Sequence, residues 1–166
     1  MTPDAGQPHL SHVGPDGRAH MVDVGSKAMT DRFASAEAFV RISPQLADHI
    51  RANTLAKGNL IEVARLAGIQ AAKRTPDLIP LCHSLPLDHA DVQISLLGDR
   101  LRIVAQARTN GRTGVEMEAL TAAAVAALTV IDMGKSVDKA MVVEGLRILE
   151  KRGGKSGEYR AEALSP

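Results

Sequence analysis

The stretch DVQISLLGDRLRIVAQA, residues 91–107, decides the fold. Val92, Ile94 and Leu96 alternate with polar residues before Gly98-Asp99, and Leu101, Ile103 and Ala105 alternate after it. A period of two predicts half-buried strands, and the Gly-Asp step between them predicts a hairpin. Downstream the period changes. From Val115 to about Met133, Leu120, Ala124, Leu128 and Ile131 recur at spacings of three and four, which predicts a long helix with that stripe buried. The Ala-rich run Ala122–Ala127 permits close packing against another helix or subunit. Val142–Leu149 reads as a final strand. Upstream, Phe33–Ile42 reads as a strand. Ser43-Pro44 supplies a capping hydroxyl and then proline at the first helical position, so a short helix is expected to about Asn53. A second helix is expected over Leu60–Lys73, with Ile61, Ala64, Leu66 and Ile69 as its apolar positions, followed by a proline-punctuated loop, Thr75–Pro86. The order strand, helices, strand, strand, helix, strand predicts an α+β fold of the ferredoxin-like split βαβ type, an antiparallel sheet with helices on one face. A sheet covered on one side leaves its other face and edges for subunit contacts, so self-association is expected.

A chain of 166 residues suits one domain. Residues 1–20, rich in Pro, His and Gly, are expected to form a flexible arm, residues 21–152 a single α+β domain, and residues 153–166 a flexible tail. The chain has no Trp, one Tyr and two Phe, too few aromatic rings for the base stacking of single-stranded nucleic-acid binders. A net charge of +1 gives no global pull towards nucleic acid or membrane. A single cysteine, Cys82, excludes an internal disulfide and fits a reducing compartment. With no secretory pattern at the N-terminus and no apolar run judged long enough to span a bilayer, the expected compartment is the cytoplasm.

Five places carry chemically capable residues. Pro80-Leu81-Cys82-His83-Ser84 is a proline-stiffened loop holding one histidine. It reads either as a positioned acid–base group or as a structural loop with His83 bonded to backbone. Cys82 reads as a small apolar residue. Thr113 and Glu116 match a capping box, and Glu118 stands in a first turn that favours negative charge. Alternatively, this pair of carboxylates accepts hydrogen bonds from a purine or pterin ring. Asp132 and Lys135, three apart on one helical face, read as a surface ion pair or, flanked by Ile131, Met133 and Val137, as a partly buried pair with a tuned lysine. Lys57-Gly58, before the second helix, reads as a solvated lysine or as a phosphate or proton-transfer group. Gly153-Gly154-Lys155-Ser156-Gly157 is not a P-loop, because the required upstream glycine falls on Leu149. A basic tail that closes on phosphates is the alternative. No Cys/His set has metal-ligand spacing and no GxGxxG motif occurs, so neither a metal nor a redox cofactor is expected.

In combination these places carry a resemblance. Met21–Val24 (MVDV), Lys57-Gly58-Asn59, Ala67–Arg74 (AGIQAAKR), Asp77–His83 (DLIPLCH), Thr113–Ala123 (TGVEMEALTAA), Val125–Leu128 (VAAL), Asp132-Met133 with Lys135, and Gly153–Gly157 (GGKSG) occur in that order. The chain thereby resembles the MoaC family of cyclic pyranopterin monophosphate synthases over about residues 20–159. The resemblance implies conversion of (8S)-3′,8-cyclo-7,8-dihydroguanosine 5′-triphosphate to cyclic pyranopterin monophosphate, with release of pyrophosphate, in molybdenum cofactor biosynthesis. It implies a substrate loop at Leu81, Cys82 and His83, a second contact pair at Met117 and Glu118, a catalytic Asp132, and catalytic lysines at Lys57 and Lys135. His83, Lys73, Arg74 and the Lys155 tail are expected to meet the triphosphate, and Glu116 to contact substrate if it is not spent on the cap. It further implies homohexamers, trimers of dimers, with sites at subunit interfaces. Ser84 and Gly134 depart from the family pattern without removing a catalytic group. The rival readings are a non-catalytic ferredoxin-like nucleotide sensor and, disfavoured by charge and scarce aromatics, an RNA-binding domain.

Overall fold

The structure, a computed structural model, describes residues 13–14, 16–155 and 157–162. Most of the expected arm (residues 1–12 and 15), Ser156 and residues 163–166 of the expected tail lie outside the described residues. Among the described residues nine elements follow in order: β1 (Thr30–Arg41), α1 (Pro44–Ala52), α2 (Leu60–Ala72), α3 (Thr75–Leu78), β2 (His89–Leu97), β3 (Arg100–Gly111), α4 (Glu116–Gly134), β4 (Val142–Arg152) and β5 (Tyr159–Arg160). The strands form one antiparallel sheet, β2-β3-β1-β4-β5, with helices packed on one face, as the order of periods predicts. β5 pairs with β4 inside the stretch read as a tail. The short α3 occupies part of the expected Thr75–Pro86 loop.

The local signals act as the sequence suggests at α1, where the Ser43 side chain accepts from the Leu46 amide and Asn53 closes the helix in the left-handed region. α2 is capped by Asn59, whose side chain accepts from the Glu62 amide. The capping box expected at α4 does not form. The cap residue is Val115 and makes no side-chain cap bond. The helix starts so late that Glu116 is its first residue rather than its third, out of position to reach back to Thr113.

The core is built from small side chains. On the covered face of the sheet, Ala34 lies beside Ala107, Ala36 beside Ala105, Ala38 beside Ile103 and Val40 beside Leu101, all fully buried. α4 lies on this floor by its alanine face: Ala119, Ala122, Ala123, Ala126, Ala127 and Val130 are buried. This corrects the expected burial of the Leu120, Ala124, Leu128 and Ile131 stripe, since Leu128 is 60% exposed and the other three are only partly buried. Leu66 on α2 is likewise 60% exposed. The reason is distance. Where α2, α4 and the sheet come closest, Gly68, Ala122 and Ala126 make the contact, and Leu66 and Leu128 turn outward. By length and hydropathy alone α4 could also cross a bilayer, contrary to the sequence reading. Its apolarity is that of a helix packed between α2 and the sheet.

The approach is tightest at Gly68. A Cβ added there would lie 2.8 Å from the Ala122 carbonyl oxygen, 2.9 Å from Val92 Cγ2 and 3.2 Å from Ala126 Cβ. Gly68→Val is expected to push α2 off α4 and cost about 1–3 kcal/mol, with Tm falling by roughly 2–4 °C for each kcal/mol. Thermal unfolding followed by circular dichroism checks this, and an unchanged Tm would mean the helices are not in contact there.

The helix-free face is organised by charge. Glu37, 2% exposed, accepts from Arg102 Nε at 3.0 Å through Oε2 and from Arg147 Nε at 2.9 Å through Oε1. Arg147 also donates to the Glu162 carbonyl, fastening the end of the described chain to the sheet.

Candidate active site

The residues singled out in the sequence fall into two groups at opposite ends of α4. At its N-terminal end, Leu81, Cys82, His83, Glu116, Met117 and Glu118 line one hollow of about 370 Å³. Val22, Val24 and Lys27, in the segment before β1, close its other side. His83 donates from Nε2 to the Val22 carbonyl at 2.7 Å, which is the backbone bond foreseen in the plainer reading of this residue. Because a carbonyl only accepts, Nε2 carries a proton in this bond. Glu118 is 4% exposed, and burial pushes its carboxyl above the ordinary value, with Glu116 adding to the rise against the lowering effect of a backbone hydrogen bond. Burial, and then Glu118, push the Cys82 thiol up as well, so the thiol stays protonated and unreactive, consistent with a packing role.

Next to this hollow opens a larger cleft of about 930 Å³, and the two share Lys27, Thr113, Gly114 and Glu116 as lining. Among the described residues of the cleft, six are cationic (Lys27, Arg32, Arg112, Lys151, Arg152 and Lys155) and Glu116 is the acid. Glu116, freed from capping, lies 3.5 Å from Lys151 Nζ. Arg32 Nε donates to the Gly111 carbonyl, and the Arg152 guanidinium stacks 4.4 Å from the Phe33 ring centre. The cleft is therefore strongly cationic, with charge gathered from the loop before β1, the start of β1, the loop after β3, and the end of β4 with the turn beyond it. Lys155, expected from the sequence to meet the triphosphate, lines this cleft. Lys73 instead lines a third hollow of about 520 Å³ with His89, which meets the first hollow only through Leu85, and Arg74 lines none of the three.

At the C-terminal end of α4, Lys57, Asp132 and Lys135 meet. Asp132 Oδ1 is 2.7 Å from Lys135 Nζ and Oδ2 is 3.0 Å from Lys57 Nζ, which also donates to the Asp132 carbonyl at 2.8 Å. Lys57 reaches there from a turn ending at Gly58, whose φ of +93° is open to glycine at little cost. The two ammonium groups hold the Asp132 carboxyl down to about 2, Lys135 contributing most. The expected partial burial of this group is not found in the single chain: the side chains of Lys57, Asp132 and Lys135 are 43%, 57% and 60% exposed. Nor does His83 join them. Glu118, which shares its hollow, lies fourteen residues before Asp132 on α4, about 21 Å along the helix axis.

Sequence reasoning missed Lys27, Arg32, Arg112, Lys151 and Arg152. Lys27 follows MVDV by three residues and Arg112 immediately precedes Thr113-Gly114, so both lay beside quoted motifs. The single-chain signal was only that of scattered surface cations.

Comparison with known proteins bears on this arrangement. The model of the MoaC family matches residues 21–154. A cyclic pyranopterin monophosphate synthase of Corynebacterium efficiens is 55% identical over 150 residues, covering 90% of this chain and 97% of the relative. One of Novosphingobium aromaticivorans is 52% identical over 152 residues, covering 92% and 97%.

Proposed function

The chain belongs to the MoaC family, and from that membership we propose that it catalyses the cyclic pyranopterin monophosphate synthase reaction of molybdenum cofactor biosynthesis. The substrate is the 3′,8-cyclised dihydro-GTP, and the products are the cyclic pyranopterin monophosphate and pyrophosphate. One observation carries the reading: a half-open hollow lined by His83 and the buried Glu118 adjoins, through shared lining, a cationic cleft suited to a polyphosphate.

In the hollow, Glu118 and the His83 ring face the purine-derived ring. A carboxyl raised by burial holds its proton to higher pH than an ordinary one, which suits a proton-transfer role. In the cleft, Arg32, Arg112, Lys151 and Lys155 neutralise the triphosphate. Closure of the cyclic phosphate joins a sugar hydroxyl oxygen to the α-phosphorus and breaks the bond to the bridging oxygen. The hydroxyl proton goes to a base, and pyrophosphate leaves with its charge matched by these cations. No electrons are exchanged.

Lys57, Asp132 and Lys135 complete the chemistry from a second copy of the chain. Asp132 aims both lysines, and Lys135 moves protons at the ring. The separation along α4 and the solvent exposure of the three side chains support a shared site, because one chain holds only half of it. The outward Leu66 and Leu128 provide apolar surface for such contacts. A homohexamer built as a trimer of dimers, in the cytoplasm, fits this reading. Incubating the purified protein with the cyclised nucleotide is expected to release pterin product and pyrophosphate in equal amounts. Consumption of the nucleotide without either product refutes the assignment.

A further inference from the structure

We propose that Asp138 is a positioning residue for this reaction, its carboxylate fastening the turn that carries Lys135 to the start of the helix that leads to Lys57. The inference rests on the reading of Lys57, Asp132 and Lys135 as a reacting group.

Asp138 is 7% exposed, and its partners are backbone amides rather than a cation. Oδ2 accepts from the Ser43 amide at 2.6 Å and Oδ1 from the Ala140 amide at 2.9 Å. Its own amide donates to the Gly134 carbonyl at 3.0 Å, beside the Val137 amide at 2.9 Å. Lys135 thus sits in a turn closed on both sides, since its amide also bonds the Ile131 carbonyl at 2.9 Å. Ser43 in turn caps α1, which delivers the chain to the Leu55–Gly58 turn holding Lys57. Apolar packing reinforces the joint: a Cβ added at Gly134 would lie 2.8 Å from Leu46 Cδ2, on the buried side of α1.

Two lysines with long flexible stems meet one carboxylate, so their aim depends on where their backbones are held. Asp138 ties the backbone just after Lys135 to Ser43, at the start of the helix whose far end leads into the Lys57 turn. A carboxylate suits this place because it accepts from two amides that point at it from different segments. Asparagine has the same shape but turns an NH₂ group towards one of the two donors.

The test compares Asp138→Asn and Asp138→Ala with the parent protein. The readouts are steady-state kinetics on the cyclised nucleotide and the carbon-13 titration of the Asp132 carboxyl. Loss of aim is expected to lower kcat about tenfold in the Asn variant and about a hundredfold in the Ala variant, with KM changed less than about twofold. The Asp132 carboxyl is expected to titrate at higher pH than in the parent, because Lys135 no longer sits 2.7 Å from it. Asp138→Asn retains one acceptor and the side-chain volume, so it decides the matter if Asp138→Ala does not fold. An unshifted Asp132 titration in the folded Asn variant overturns the proposal, whatever kcat does. Failure of the assigned reaction is seen separately, as a parent protein that turns over no cyclised nucleotide, and leaves the titration to decide the role of Asp138.

Discussion

Lys135→Ala is expected to lower kcat by roughly 10²–10⁴-fold while leaving Tm close to that of the parent protein. The lysine is 60% exposed and its ion pair with Asp132 is a surface pair three residues apart, so its removal takes little from the fold. What is lost is a proton carrier held at 2.7 Å from a carboxylate that stays ionised down to about pH 2. Lys57→Ala is expected to behave alike, since it holds the other oxygen of the same carboxylate. Stopped assays for pterin and pyrophosphate, run beside thermal unfolding, check both. The outcome also separates an enzyme from a nucleotide sensor. A sensor retains ligand-linked behaviour after losing Lys135 and has no turnover to lose. Parent-like turnover in both variants would remove the lysines from the mechanism.

The second large effect is a recovery. Lys135→Ala and His83→Ala proteins are each expected to be nearly inactive, yet activity should return when the two are unfolded, mixed and reassembled together. If each site takes its hollow from one copy and its Lys57–Asp132–Lys135 group from another, random mixing leaves about a quarter of the sites with both halves intact. The expectation follows from the length of α4, which in one chain keeps Glu118 and Asp132 at opposite ends. Activity of the mixture no greater than that of the separate variants would place both halves in one chain and contradict the shared site.

Much of the architecture was legible before the coordinates. The hairpin around Gly98-Asp99, the Ser43-Pro44 helix start and the length of α4 follow from short-range chemistry, in which each residue acts on neighbours a few positions away. The errors share one cause. The spacing of Leu120, Ala124, Leu128 and Ile131 predicts a buried helix face. Yet α4 turns its alanine face to α2 and the sheet, where Gly68 meets Ala122 and Ala126, and which face packs is a property of the assembled layers. Glu116 was assigned to a cap because its distance from Thr113 was right, but a helix that starts at Glu116 makes that distance irrelevant.

The candidate site divides in the same way. The motifs named most of its chemistry, namely Leu81, Cys82, His83, Met117, Glu118, Lys57, Asp132 and Lys135. Residue identity and motif order are written in the chain, and so are the turns and periods that shape each element. How the groups are combined is not. Cations from the Lys27, Arg112 and Lys151 segments gather in one cleft because the start of β1 and the ends of β3 and β4 lie side by side at one end of the sheet. His83 is parted from Lys135 because a rigid helix of 19 residues stands between their ends. Such relations arise from contacts between segments far apart in the chain, and they come into being only when the layers close on one another.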